Sequence, residues 1–220
     1  WEEDGGFWRC CRFIDDSASF LLTDNLKVIE ESGKAFGEFQ LHLADYPVEK
    51  LHIAIPHFHN TVMRYDTFRE AIENNLSCRK ENALREIEEY LGLEARATEM
   101  YKMQRRGELQ EQGTLPLRVT HNDTKCSNVL FDKDSFEHLS VIDLDTVMPG
   151  LVGFDFGDAI RATANTAEED EKDIKKVALD LKKYEAFAKG FLGKVKGELT
   201  ENEKNTMALG ALTFFVAPQV

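Results

Sequence analysis

The chain has 220 residues, with 27 Lys plus Arg against 40 Asp plus Glu, for a formal charge of −13. Hydrophobic residues at 42% and charged residues at 30% give ordinary globular composition, which excludes disorder along the whole chain. The acidity argues against a duplex nucleic-acid binder, which needs a basic face, and no apolar run approaches the roughly 18 residues of a membrane span.

The length suits one large domain or two small ones of roughly 100–200 residues each. No secretory leader is visible, which predicts a cytoplasmic protein. A start at Trp1 and an end inside the apolar stretch Met207 to Val220 predict a piece cut from a longer chain. Cys10, Cys11, Cys78 and Cys126 include no C-x-x-C pair, so they predict buried or half-buried thiols in a reducing compartment.

Phe7 to Ile14 is apolar-rich and predicts a strand, broken by Asp15, Asp16 and Ser17. Asn25 to Ala44 predicts a helix, with Leu26, Ile29, Phe36, Phe39 and Leu43 near one face and Asp24 or Asn25 as cap. Pro56 separates a helical turn, Val48 to Ile55, from a loop, His57 to Arg64. Asp66 is read as the cap of a helix carrying Phe68, Ala71 and Ile72. A longer helical region follows with Leu84, Ile87, Leu91, Met100 and Met103 at helical intervals, closed by Gly113 and Pro116.

The periodicity then changes. Leu117 to Thr120, Val129 to Phe131 and Leu139 to Ile142 read as short strands, the last two forming a hairpin around Asp132-Lys133-Asp134-Ser135. Helical pattern returns after Gly150 and Gly153. Asp173 to Leu192 predicts a helix, Thr200-Glu201-Asn202-Glu203 has capping-box form, and Glu168 to Glu171 reads as a solvated helix entry. Phe214-Phe215 reads as an interface with a helix that is not present.

The chemistry-bearing stretch is His121-Asn122-Asp123-Thr124-Lys125-Cys126-Ser127-Asn128, which fits H-x-D-x-x-x-x-N, a kinase catalytic-loop pattern. Phosphoryl transfer asks a protein to position the acceptor hydroxyl and neutralise phosphate charge. Asp123 suits the hydroxyl, and Asn128 offers an amide oxygen to Mg²⁺. His121 suits holding the loop in shape. Lys125 is either a surface lysine or a contact to the transferred phosphate. The anionic metal ligand is a choice between Asp143, in Val141-Ile142-Asp143-Leu144-Asp145, and Asp155 of the literal Asp155-Phe156-Gly157. We prefer Asp143, because the hairpin returns it beside Asn128, whereas Asp155 opens a helix. Asp155, Asp158 and Arg161 read as groups fixing the loop and helix start, with an acceptor contact open for Arg161. His57, His59 and Asn60 lack a partner at metal-ligand spacing and read as packing or loop residues.

The stretches THNDTKCSNVLFD, VIDLDTVMPG and FDFGDAIR, with IPHFHNT-x-x-R at Ile55 to Arg64, resemble the aminoglycoside-phosphotransferase and choline-kinase-like superfamily. Within it, the chain is most similar to N-acetylhexosamine 1-kinases. The resemblance implies an α+β, protein kinase-like fold with a mainly helical large lobe and a small β-hairpin platform. Asp123 matches the family's catalytic Asp, and Asn128 and Asp143 match its Mg²⁺ ligands. Asp145 falls at a variable position that contacts acceptor or metal. ATP and Mg²⁺ are the implied cofactors, and a sugar or amino-alcohol the implied partner. No glycine-rich phosphate loop is found, so the N-terminal lobe is expected to be missing. Residues 1–16 then supply its last strand and the interlobe hinge, and 17–220 the catalytic lobe. The alternatives are a choline- or aminoglycoside-type kinase with a cationic acceptor, which the −13 charge would suit, and a non-catalytic nucleotide-binding module.

Overall fold

The computed structural model describes residues 2–3, 5–109, 115–167 and 171–216. Their elements run in the order β1 (Glu2–Glu3), β2 (Gly6–Phe7), β3 (Ser17–Ala18), α1 (Leu26–His42), α2 (Thr61–Asn74), α3 (Leu84–Ala97), α4 (Glu99–Leu109), β4 (Arg118–Thr120), β5 (Val129–Asp132), β6 (His138–Val141), β7 (Met148–Gly150), α5 (Val152–Thr163), α6 (Leu181–Val195) and α7 (Glu201–Val216). The architecture is mainly helical with three small antiparallel sheets, β1-β2, β3-β5-β6 and β4-β7.

α1 forms where its periodicity places it. The Asn25 side chain accepts from the Lys27 N–H, and the buried stripe includes Val28, Ile29, Ala35 and Phe36. That stripe meets Phe187 and Phe191 of α6 in the main core. α5 is the central helix, with ten residues buried, and packs on α7. The two backbones touch: a Cβ on Gly157 would overlap the Gly210 carbonyl. Gly157→Ala is therefore expected to push α5 off α7 and lower stability by about 2–4 kcal/mol, read as a fall in thermal midpoint. A change under about 0.5 kcal/mol would show that the two helices separate freely.

Several expectations need correction. Trp8 to Ile14 is not a strand; only Gly6–Phe7 pairs, with Glu2–Glu3, and Trp8 to Phe13 lie exposed along no sheet edge. Ser17–Ala18, read as part of a break, instead adds a third strand to the hairpin at β5. Val48 to Ile55 makes one 3₁₀ turn, Val48–Lys50. Helix α2 begins earlier than expected, because Asn60 rather than Asp66 accepts from the Met63 N–H. The region from Leu84 to Met103 divides at Thr98, whose N–H and hydroxyl both return to the Glu94 carbonyl.

Asp173 opens only a 3₁₀ turn, Ile174–Lys176, and not the expected α-helix. Thr166 and Asn165 pair with Ala178 and Leu179, and the helix waits for Asp180, which accepts from the Lys182 and Lys183 N–H groups. β5 and β6 form the expected hairpin, and β4 pairs with β7 in a separate sheet. The capping box forms, with Thr200 N–H on Glu203 Oε2 at 2.8 Å and Glu203 N–H on Thr200 Oγ1 at 3.2 Å. Arg118 also bonds Glu203, tying β4 to α7. Gly113 and Glu168 to Asp170 lie outside the described residues.

All four cysteines are free, but three of them, Cys10, Cys11 and Cys78, are exposed rather than buried. Cys126 alone is buried, and burial pushes its thiol up to about 12. Among the described residues no helix is long and apolar enough to cross a membrane.

Candidate active site

The loop His121–Asn128 leaves β4, makes a 3₁₀ turn at Cys126–Asn128 and enters β5. Its backbone is held from α5. Asp155, in the first turn of that helix, accepts from the His121 N–H at 2.9 Å and the Asn122 N–H at 2.8 Å. Asp158, three residues on and so on the same helix face, accepts from the Thr124 N–H at 2.9 Å. The Asp123 N–H goes to His121 Nδ1 at 3.3 Å. Each N–H from residue 121 to 124 thus has a named acceptor, and Gln40 Nε2 donates to Asp155 from α1 at 2.9 Å. Asn122 adopts the left-handed conformation, with its side-chain amide on the Thr120 and Thr146 carbonyls.

Burial pushes the Asp155 carboxyl up, against the backbone N–H donors of Asn122 and His121 that hold it down. Asp158 is likewise raised by burial and opposed by the Arg161 guanidinium, which bonds it at 2.9 and 3.1 Å. These two carboxylates lie behind the loop and hold it.

Asp123 sits in front. Asn128 Nδ2 donates to its main-chain carbonyl at 2.9 Å and to its Oδ2 at 3.0 Å, and Lys125 Nζ lies 3.4 Å from its Oδ1. Because the Asn128 amide nitrogen faces these two acceptors, its Oδ1 is left as an oxygen donor atom. The hairpin register pairs Val129 with Val141, and the Ile142 N–H bonds the Asn128 carbonyl at 2.9 Å. Asp143 therefore follows directly beside Asn128, at a left-handed turn that leaves it exposed. Asp145 lies in the next turn, Leu144–Thr146, and pairs with Arg9 at 2.9 Å on the surface.

An amide oxygen and a carboxylate are hard donors of the kind Mg²⁺ takes when waters and phosphate oxygens complete its shell, so the residues fit that ion. Among the described residues no group of three His, Cys, Asp or Glu could hold a metal. His121 is fully buried between the edges of Phe36 and Phe39. With Nδ1 accepting from Asp123, its proton lies on Nε2, 2.9 Å from the Ile142 carbonyl. The imidazole thus links the loop to the end of β6.

Loop, α2, α5 and α7 enclose a cavity of about 210 Å³ lined by Asp123, Lys125, Arg64, Asp158, Arg161 and Phe214, among others. Phe214 meets His59 and Phe154, so this part of the expected Phe214-Phe215 interface is filled within the chain; the Phe215 side chain lies outside the described residues.

Residues 4–188 match the model of the Phosphotransferase enzyme family. The chain belongs to that family. Among solved structures it is similar to a choline kinase from Cryptosporidium parvum Iowa II, at 18% identity and a TM-score of 0.51, covering 93% of this chain and 61% of that one. It is also similar to a Plasmodium vivax ethanolamine kinase, at 15% identity and a TM-score of 0.50, covering 93% and 56%. The fold is therefore kinase-like, and the chain spans about three fifths of the length of these structures.

Some of this phosphotransferase-family chain's site escaped the sequence reading. Gln40 sits on α1, far from the motif, and reaches it only through packing. His59, Thr61 and Arg64 line the cavity with Asp123, although the sequence offers them as loop residues. Burial and the Arg64 charge push the His59 imidazole down to about 4. A base with a folded pKa below its unfolded value stabilises fully above about 6.5 and loses that contribution as pH falls toward 4. The thermal midpoint is expected to drop across this window, and less steeply in His59→Phe. Parallel pH profiles for the two proteins would sink the assignment.

Proposed function

We propose that the chain carries the catalytic centre of an ATP- and Mg²⁺-dependent small-molecule kinase, with a neutral sugar as acceptor. The anomeric hydroxyl of an N-acetylhexosamine is the acceptor we favour. One observation carries the reading: Asp123 is gripped by Asn128, on a loop whose N–H groups from 121 to 124 all have acceptors, and lines a cavity with Arg64, Lys125 and Arg161. In this reading residues 17–220 make up the helical lobe that holds the acceptor and the catalytic loop.

Asp123 accepts a hydrogen bond from the attacking hydroxyl, orients it and takes its proton late, as a loose transition state requires. Asn128 fixes that carboxylate through Nδ2 and, with Asp143, holds the ion. Bound Mg²⁺ supplies neutralisation of phosphate charge. Lys125, beside Asp123, adds a cation where the transferred group passes. His121 keeps Asp143 and Asp123 in register by joining the Ile142 carbonyl to the Asp123 N–H.

The cavity argues for a neutral acceptor. Its lining includes three cations, Arg64, Lys125 and Arg161, against the carboxylates Asp123 and Asp158. An ammonium head finds no surplus of negative charge there, whatever the net −13 of the chain. The test is ADP release by the full-length protein with N-acetylglucosamine, N-acetylgalactosamine, choline, ethanolamine and an aminoglycoside. Release is expected with a hexosamine and should vanish on chelation of Mg²⁺. Release with the cationic acceptors alone would overturn the sugar assignment. Release with none, beside tight nucleotide binding, would favour a non-catalytic module.

A further inference from the structure

The stretch Ile55 to Arg64 carries no step of the proposed transfer, yet its last residue lines the cavity that holds Asp123. Arg64 sits in the first turn of α2, where its own N–H bonds the Asn60 carbonyl at 3.1 Å. Its guanidinium folds back and donates to the Phe58 carbonyl at 2.8 Å, so the fork is oriented before any ligand arrives. The residue is half-buried, neither sealed off nor loose in solvent.

Lys125 and Arg161 share this lining, and their side chains keep 37% and 22% of their surface exposed. Each faces a carboxylate of the same lining, Lys125 at 3.4 Å from Asp123 and Arg161 at 2.9 Å from Asp158. Arg64 adds a third cation. His59 adds no charge near neutral pH, because burial and the Arg64 charge push it down to about 4. Three cations against two carboxylates leave a formal surplus of one positive charge. The first turn of α2 also borders this space through Thr61 and Arg64, and a helix N-terminus carries partial positive charge. A neutral acceptor does not match that surplus; the product does. On transfer, the bond between the acceptor oxygen and phosphorus forms, the bond from phosphorus to the ADP oxygen breaks, and the hydroxyl proton passes to Asp123. With Asp123 holding that proton, the lining carries two net positive charges. The new phosphate monoester carries about 1.5 to 2 negative charges near pH 7. A guanidinium fork matches two phosphate oxygens at once.

We infer that Arg64, with Lys125 and Arg161 beside it, grips the phosphate of the newly made monoester, so that the cavity binds phosphorylated product more tightly than neutral acceptor. The inference rests on the kinase reading of this cavity. It makes Arg64 a phosphate-binding residue and makes the product an inhibitor that competes with the acceptor.

The test is calorimetric binding to the nucleotide-free full-length protein, with N-acetylglucosamine 1-phosphate, N-acetylglucosamine and choline phosphate as probes. The sugar phosphate is expected to bind about ten-fold tighter than the sugar. Arg64→Gln is expected to abolish that preference and to keep sugar affinity within about two-fold. In the parent, raising NaCl from about 0.05 to about 0.5 M should erode the preference, because screening acts on the charged ester alone. That arm needs no variant. A sugar phosphate that binds no tighter than the sugar overturns the inference. So does a preference that survives high salt or Arg64→Gln, and so does a variant that weakens both ligands alike. In each of those cases ADP release with a hexosamine would leave the kinase reading standing. Arg64-dependent binding of choline phosphate, without binding of either sugar probe, would keep the phosphate site and remove the sugar acceptor. Arg64-dependent binding of the sugar phosphate, without ADP release from any acceptor, would keep the site and remove the kinase reading.

Discussion

Asp123→Asn in the full-length protein is expected to lower acceptor-dependent ADP release by about 10³-fold, within the range for a lost general base, with an unchanged thermal midpoint. The substitution is isosteric. An asparagine oxygen at the position of Oδ2 still accepts from Asn128 Nδ2, and the main-chain bond from the same amide is untouched. What disappears is the charge that draws the acceptor hydroxyl and takes its proton, together with the Lys125 pair at 3.4 Å. The pair is partly exposed, so its loss costs little stability. Turnover within ten-fold of the parent would remove Asp123 from the chemistry. Loss of activity accompanied by a falling midpoint would point to loop collapse instead.

The second large effect falls on a residue that touches no substrate. Asp155→Asn is expected to destabilise the protein by about 3–5 kcal/mol, a drop of roughly 10 °C in midpoint, and to lower turnover with it. The buried carboxylate receives three donors, two from the backbone of the loop and one from Gln40. An asparagine there has one oxygen and an amide nitrogen that donates. At least one buried N–H is then turned against another donor, and the loop that carries Asp123 loses its anchor. A variant that retains both stability and turnover would show that the loop is held elsewhere. The Gln40→Leu variant separates the contributions, because it removes one donor and leaves both loop bonds in place.

The contrast between these two aspartates shows what was legible. Asp155-Phe156-Gly157 is the literal motif, and its letters alone favour a metal site. Its helical context points the other way, and its carboxylate is indeed spent on backbone donors. Asp143 has no motif, yet the hairpin register alone puts it next to Asn128. Register is a local property of alternating strands joined by a short turn, so sequence carries it. The cap at Asn25 and the capping box at Thr200 are equally local and stand where the residues place them.

The failures share one cause. Phe7 to Ile14 has strand composition, but a strand needs an edge to pair with, and among the described residues Trp8 to Ile14 joins no sheet. Asp173 has a cap's chemistry but caps only a 3₁₀ turn, and the Asn165–Leu179 bridge draws the chain back before Asp180 starts the helix. Asp66 could cap a helix, but Asn60 had already begun it. Each choice was decided by a partner distant in sequence or by a competing signal of equal local quality.

By itself, then, the sequence determined a mainly helical, acidic chain, a hairpin from Val129 to Ile142 and a polar loop carrying Asp123 and Asn128. These rest on periodicity, capping and turn chemistry, which act over a few residues. Only the tertiary structure decided that Gln40 backs the Asp155 carboxylate behind that loop, and that His59, Thr61 and Arg64 face it across a cavity. Those groups lie about 60 to 80 residues from Asp123 in sequence and meet it because buried donors and acceptors must find partners, wherever along the chain these are.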